Sequence, residues 1–142
     1  MPERHSTLSV PADLLSLRSL GPWLHDNLVD AGDTDPTATR SSMELAVQEI
    51  CVNVVKYALA DTEAAEILVT FQADAAGYTV TTEDAGAAYD ISTRPKVDLE
   101  NPTVGGYGLY LVETLCEQMV YERVGQHNVW SMRFARSVPA AT

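Results

Sequence analysis

Three residues in the stretch LAVQEICVNVVKYALA, Leu45 to Ala60, could do chemistry together: Glu49, Asn53 and Lys56. Positions four and seven apart on a helix fall within roughly 40° of one another, so the three define one narrow polar stripe. Val47, Ile50, Cys51, Val54 and Ala58 cover the far side, while Leu45, Val52 and Leu59 flank the stripe. A carboxylate, an amide and an ammonium on so apolar a helix are costly unless they are partnered. Two plain accounts stand: Glu49 pairs with Lys56 or with core polar groups, or the stripe faces solvent. The third is a pocket in which Asn53 gives an oxygen to a hard cation, Lys56 meets phosphate and Glu49 accepts a proton.

Two other stretches carry chemical potential. In TTEDAGAAYD, Thr81 to Asp90, a strand ends in Asp84 and small residues follow at once: Ala85, Gly86, Ala87 and Ala88. A carboxylate there can accept from an exocyclic amine, and the small neighbours let a flat ring approach the backbone. An acidic turn closing a strand is the alternative. In VGGYGLYLVETL, glycines 105, 106 and 108 lead straight into a helix, whose free N–H groups and dipole suit an anion. The run lacks the Lys-Ser/Thr of a P-loop and the G-x-G-x-x-G of a dinucleotide fold.

The elements that must position these residues follow from periodicity and turn chemistry. STLSV, Ser6 to Val10, alternates as a short strand. Leu14, Leu17, Leu20, Leu24 and Leu28 keep helical spacing, interrupted by Gly21-Pro22 and stopped at Gly32. DTDPTATR reads as a polar connector, with Ser41 or Ser42 capping the helix that contains the stripe. EILVTFQAD and YTVTTED are two strands joined through Gly77. The span 85–106 has no sustained period, as a functional loop or lid would not. GLYLVETLCEQM then resumes as a helix, and VYERVG and NVWSMRF close the chain as a hairpin. Hairpin-linked strands with helices gathered apart from them predict an α+β two-layer sandwich, a mixed, mostly antiparallel sheet covered on one face by helices. The expected organisation is a single domain over residues 1–142, with its core at about 6–136 and a frayed tail at 137–142.

Composition narrows the classes. With 46% hydrophobic and 20% charged residues over 142 positions, the chain can bury a core and is not disordered. No apolar run reaches the eighteen or so residues of a membrane span. MPERHSTLSV has no apolar signal core, so the cytoplasm is the expected compartment. Cys51 and Cys116 have no second Cys or His at ligand spacing and read as small core residues. The formal net charge of −11 disfavours direct nucleic-acid binding and would steer a basic partner. Lys56 is the only basic residue between Ser41 and Thr93, a placement that suits an anion.

Taken together and in this order, the E-x-x-x-N-x-x-K-Y helix, the strand-end D-x-G and the loop ending G-G-x-G-L resemble the GHKL ATPase superfamily of histidine kinases and gyrase-type ATPases. The small size and the run GGYGLYLVETLCEQMVYER…NVWSMRF look most like its anti-sigma-factor serine/threonine protein kinase branch. The resemblance runs from about Ser6 to Arg136 and implies the Bergerat ATP-binding fold. It implies ATP and Mg²⁺ as cofactors, with Glu49 as general base, Asn53 holding Mg²⁺ and Lys56 near the phosphates. Asp84 would accept from the adenine amine and Gly86 would make room for the ring, with Ala88 beside it. Gly105, Gly106, Gly108 and Leu109 would form the phosphate-facing end of the lid, and Ser131 would stand where relatives often carry a nucleotide-touching Thr. As partners it implies a sigma factor, a small antagonist of the STAS type that is phosphorylated on Ser or Thr, and a second copy of the chain as a homodimer.

The chain departs from that pattern at Ala88, which replaces the second glycine of D-x-G-x-G, at Tyr107 within the glycine loop, and at Tyr57, where relatives often have His. The nearest lid cations are Arg94 and Lys96. The alternative reading is therefore a nucleotide-binding module that holds a partner without phosphoryl transfer, or an ATPase subunit that activates a phosphatase. His5, His25 and His127 have no assigned task.

Overall fold

Apolar residues recur at a period of two in the strands and of three to four in the helices, and each set ends on one side of a single interface. A computed structural model describes residues 4–59, 65–89 and 107–136. Its strands are β1 (Arg4–Pro11), β2 (Glu66–Ala73), β3 (Gly77–Asp84), β4 (Gln118–Val124) and β5 (His127–Ala135). Its helices are α1 (Leu20–Asp30), α2 (Pro36–Asn53) and α3 (Tyr107–Leu115). The strands form one five-stranded sheet in the order β1-β2-β3-β5-β4. Every pairing among the described strands is antiparallel, so the predicted mixed character is absent there. The α+β two-layer class stands.

The alternation of the strands decides which face is covered. Ile67, Val69 and Phe71 of β2, Tyr78 and Val80 of β3, and Trp130, Met132 and Phe134 of β5 are all buried. Their neighbours Glu66, Leu68 and Gln72 are exposed. Leu20, Leu24 and Leu28, four apart on α1, are fully buried, as are Met43, Ala46 and Val47 of α2. Val112 brings α3 into the same core. Each such large side chain contributes roughly 1.5–3 kcal/mol by leaving water, so one buried face per element suffices to set the layers.

Four element boundaries differ from the sequence reading, each for an identifiable reason. Gly21-Pro22 does not interrupt a helix but lies in the first turn of α1, where the missing N–H of proline has no partner to lose. DTDPTATR is not a connector: Asp35 caps α2 by accepting from Ala38 N at 3.3 Å, with Pro36 at the first helical position. The predicted helix through Met119 ends at Leu115, because Glu117 N donates to Arg133 O (2.7 Å) and the chain joins the sheet as β4. Finally, the stripe-bearing helix is not α-helical to its end. Val54–Ala58 form a π-helical turn, with Leu59 N donating to Val54 O at 2.9 Å. The predicted lid beyond Tyr89, the predicted tail, Gly105 and Gly106 lie outside the described residues.

The β2–β3 turn shows how one side chain organises a hairpin. Asp74 Oδ1 accepts from Ala76 N (2.8 Å), Gly77 N (2.9 Å) and the Arg133 guanidinium (2.8 Å). The Arg133 contact first, and then the Gly77 and Ala76 amides, hold the Asp74 carboxyl down to about 2, below its unfolded value of 3.8. The folded chain therefore binds this proton less tightly than the unfolded chain. Its contribution is full above about pH 4 and is lost as pH falls through about 2. Asp74→Asn should accordingly unfold at a lower temperature than wild type at pH 5, and the gap should close as pH falls toward 2. A gap that stayed constant across that range would refute this account.

Candidate functional site

The site begins at the end of β3. Thr82 and Asp84 point into the helix-covered face and are 0% and 2% exposed. Asp84 Oδ1 accepts from Gly86 N and from Asn128 Nδ2, both at 2.9 Å. Asp84 Oδ2 is buried and has no hydrogen-bond partner among the described residues, and the Thr82 hydroxyl is in the same condition. A buried acceptor left without a donor costs about 1–3 kcal/mol, and more for a charged one. The arrangement thus holds an acceptor ready for a donor that a bound molecule would supply.

The turn after Asp84 is joined to the end of the stripe-bearing helix. Ala87 N donates to Ala58 O at 2.9 Å. A Cβ on Gly86 would lie 2.4 Å from that same oxygen, so only glycine permits this approach. The π-turn is what presents Ala58 here. By closing its bond five residues back instead of four, it turns the last helical residues away from the α-helical line. Beneath it Cys51 is fully buried; burial, and secondarily the Asp84 charge, push its thiol up to about 12. Cys51 is thus an inert core residue, as its sequence context indicated.

A second convergence lies at the start of α3. A Cβ on Gly108 would lie 2.7 Å from Glu49 Oε2 and 3.8 Å from Asn53 Nδ2. The two stripe residues on α2 and the last glycine of the G-G-x-G run therefore meet, although 55 or more positions separate them in sequence. No ion pair joins Glu49 to Lys56, and neither these side chains nor Asn53 have hydrogen-bonded partners among the described residues. Lys56 sits in the π-turn and is exposed.

The remaining predicted residues fall in different places. Ala88 is exposed beyond the Gly86 turn, and Leu109 is a core residue at 5% exposure. Ser131 pairs with Thr81 in the β3–β5 register, whereas Thr82 and Asp84 pair with Trp130 and Asn128. Because side chains alternate along a strand, Ser131 points to the opposite face of the sheet from Asp84. The structure does not bring it to the site. Asn128 occupies that place instead, 1% exposed and bonded to Asp84. Its signal in the sequence was a polar residue in register with the inward-facing Trp130, Met132 and Phe134.

These features fit a nucleotide with a metal. The partnerless Asp84 oxygen suits an exocyclic amine, and at Gly86 and Gly108 the backbone packs so closely on Ala58 O and Glu49 Oε2 that a side chain would collide. Among the described residues, no three His, Cys, Asp or Glu side chains cluster to hold a metal on their own. The Asn53 amide carries an oxygen of the kind Mg²⁺ accepts when phosphates and water complete its shell. Among the described residues no helix is long and apolar enough to cross a membrane.

Comparison with known proteins converges on one family. Residues 10–134 match the histidine kinase-like ATPase domain. Over 85 residues the chain is 32% identical to the serine-protein kinase RsbW of Listeria innocua, covering 54% of this chain and 54% of the relative; the RsbW of Listeria monocytogenes matches to the same extent. The chain spans about half the length of the curated relatives it matches. Among solved structures, the RsbU and RsbW domains of a Mycobacterium tuberculosis protein superpose with a TM-score of 0.63 at 16% identity, covering 99% of this chain and 34% of that one. The histidine kinase domain of a blue-light activated histidine kinase from Erythrobacter litoralis gives a TM-score of 0.56 at 15% identity, covering 89% of this chain and 61% of that one. Likenesses at such identities speak for the fold. The family match takes in α2, the Asp84 turn, α3 and most of the sheet, and the chain belongs to the histidine kinase-like ATPase domain family.

Proposed function

We propose that the chain is an ATP-binding anti-sigma regulatory factor with serine/threonine protein kinase activity. In this reading it phosphorylates a small antagonist protein of the STAS type and sequesters a sigma factor in the cytoplasm. The observation that carries the proposal is the pairing of two half-sites: a buried acceptor without a donor at Asp84, and Glu49 and Asn53 meeting at Gly108. The similarity to proteins named serine-protein kinase supports the choice of reaction.

Each residue then has one task. Asp84 Oδ2 accepts from the base amine, and Gly86 lets the ring lie against the backbone. Asn53 would contribute an oxygen to Mg²⁺, Lys56 would lie near the phosphates, and the N-terminal end of α3 would face their charge. Bound ATP supplies the phosphoryl group, and Mg²⁺ neutralises its charge. Glu49 takes the proton of the antagonist's serine or threonine hydroxyl; its oxygen bonds to the γ-phosphorus, and the bond to the β–γ bridging oxygen breaks to leave ADP. Positioning and charge neutralisation supply most of such a rate enhancement.

The test is to incubate the chain with Mg-ATP carrying a labelled γ-phosphate and each small STAS-type protein of its own organism. Label on a serine or threonine of the antagonist is the expected result. ATP binding without any transfer would refute the kinase reading and leave a partner-binding module.

A further inference from the structure

Asn128 is the residue at this site that neither the helix stripe nor the glycine loops account for. Every polar atom of its amide is engaged. The nitrogen donates to Asp84 Oδ1 (2.9 Å), to Ala87 O (2.9 Å) and, at longer range, to Gly86 O (3.4 Å). The oxygen accepts from the Tyr121 hydroxyl (2.6 Å) and the Arg123 guanidinium (3.0 Å). The amide can sit only this way round. Reversed, its N–H groups would face a guanidinium, and its oxygen would face a carboxylate and two carbonyls.

The network extends to the whole turn. Arg123 also donates to Gly86 O at 2.7 Å, and the Tyr121 hydroxyl accepts from Tyr89 N at 3.0 Å. The rings of Tyr89, Tyr121 and Trp130 pack together, with centroids 4.7 to 5.7 Å apart. Side chains of the β4–β5 hairpin thus tie down Asp84, Gly86, Ala87 and Tyr89 at once.

We propose that Asn128, backed by Arg123 and Tyr121, is a positioning residue: it saturates Asp84 Oδ1, leaves Oδ2 as the free acceptor, and so selects a nucleobase with an exocyclic amine over one with a keto oxygen. The inference rests on the adenine-nucleotide reading of the site. With Gly86 N and Asn128 Nδ2 both on Oδ1, the side chain is held in one orientation, and its other oxygen accepts from an amine and repels a keto oxygen. Without the Asn128 amide only the Gly86 N–H holds Oδ1, and the carboxyl group is free to turn about its last bond. An acceptor that is no longer fixed toward the base discriminates amine from keto oxygen less sharply, so selectivity falls even where binding survives.

The test compares ADP with IDP, whose base carries a keto oxygen in place of the adenine amine, by titration calorimetry on the full chain. Wild type should prefer ADP by about a hundredfold, and Asn128→Leu should narrow that preference to about tenfold or less. Arg123→Met, at the exposed end of the network, should narrow it in the same direction by a smaller factor. Equal losses for both nucleotides, leaving the ratio unchanged in both variants, would mark a merely structural residue and overturn the inference. A wild-type chain that binds neither nucleotide would overturn the reading beneath it instead. If Asn128→Leu does not fold, the ratio in Arg123→Met decides the matter.

Discussion

Replacing Asp84 with Asn is expected to weaken ADP binding by about a hundredfold while leaving the fold in place. The asymmetry follows from the two carboxylate oxygens. An Asn side chain keeps an oxygen at the Oδ1 position, where it still accepts from Gly86 N and Asn128 Nδ2. Its NH₂ replaces Oδ2, the buried atom without a donor, and would face the base amine donor to donor. The native-state network therefore survives and the ligand contact reverses. Calorimetry with ADP, alongside thermal unfolding of the ligand-free chain, separates the two effects. Unchanged ADP affinity would remove Asp84 from the site, and a collapsed unfolding temperature would make it a structural residue.

Replacing Glu49 with Gln should have the larger effect on turnover and a small one on binding. Gln keeps the shape of the side chain beside Gly108 and removes its capacity to take a proton. A positioned general base contributes roughly 10²–10⁴ in rate, so phosphate transfer to the antagonist should fall by that factor. Affinity for ADP should stay within about threefold of wild type, since a base acting on the incoming hydroxyl gives little to ground-state nucleotide binding. Equal loss of binding and transfer would instead make Glu49 a ligand-binding group. Transfer at the wild-type rate would eliminate it as the base.

The two halves of the site differed in how far they could be read in advance. Glu49 and Asn53 were legible because both lie on one helix, where a spacing of four fixes a shared face without knowledge of the rest of the chain. Asp84 and Gly86 were legible because a strand-ending acid followed by small residues is a local pattern. The π-turn that carries Lys56 was not legible, because whether a helix closes its last bonds at four residues or five depends on the packing of its end. Here Ala58 O meets Ala87 N, a contact from outside the helix. Ser131 was assigned and Asn128 overlooked for a different reason. In a strand, a shift in register reverses which residues face the site, and the pairing of β3 with β5 is set across more than 40 positions of intervening chain.

The sequence by itself determined the α+β class, the two hairpins, the apolar faces of the helices and the three motifs, because each depends on periodicities or turn residues within a dozen positions. Only the tertiary structure decided that the motifs converge. It set Gly108 against Glu49, Gly86 against Ala58, and Asn128 against one oxygen of Asp84 so that the other stays free. Those contacts join residues far apart in the chain. Their geometry is fixed by how the helical layer seats on the sheet, and that seating is a property of the packed core as a whole.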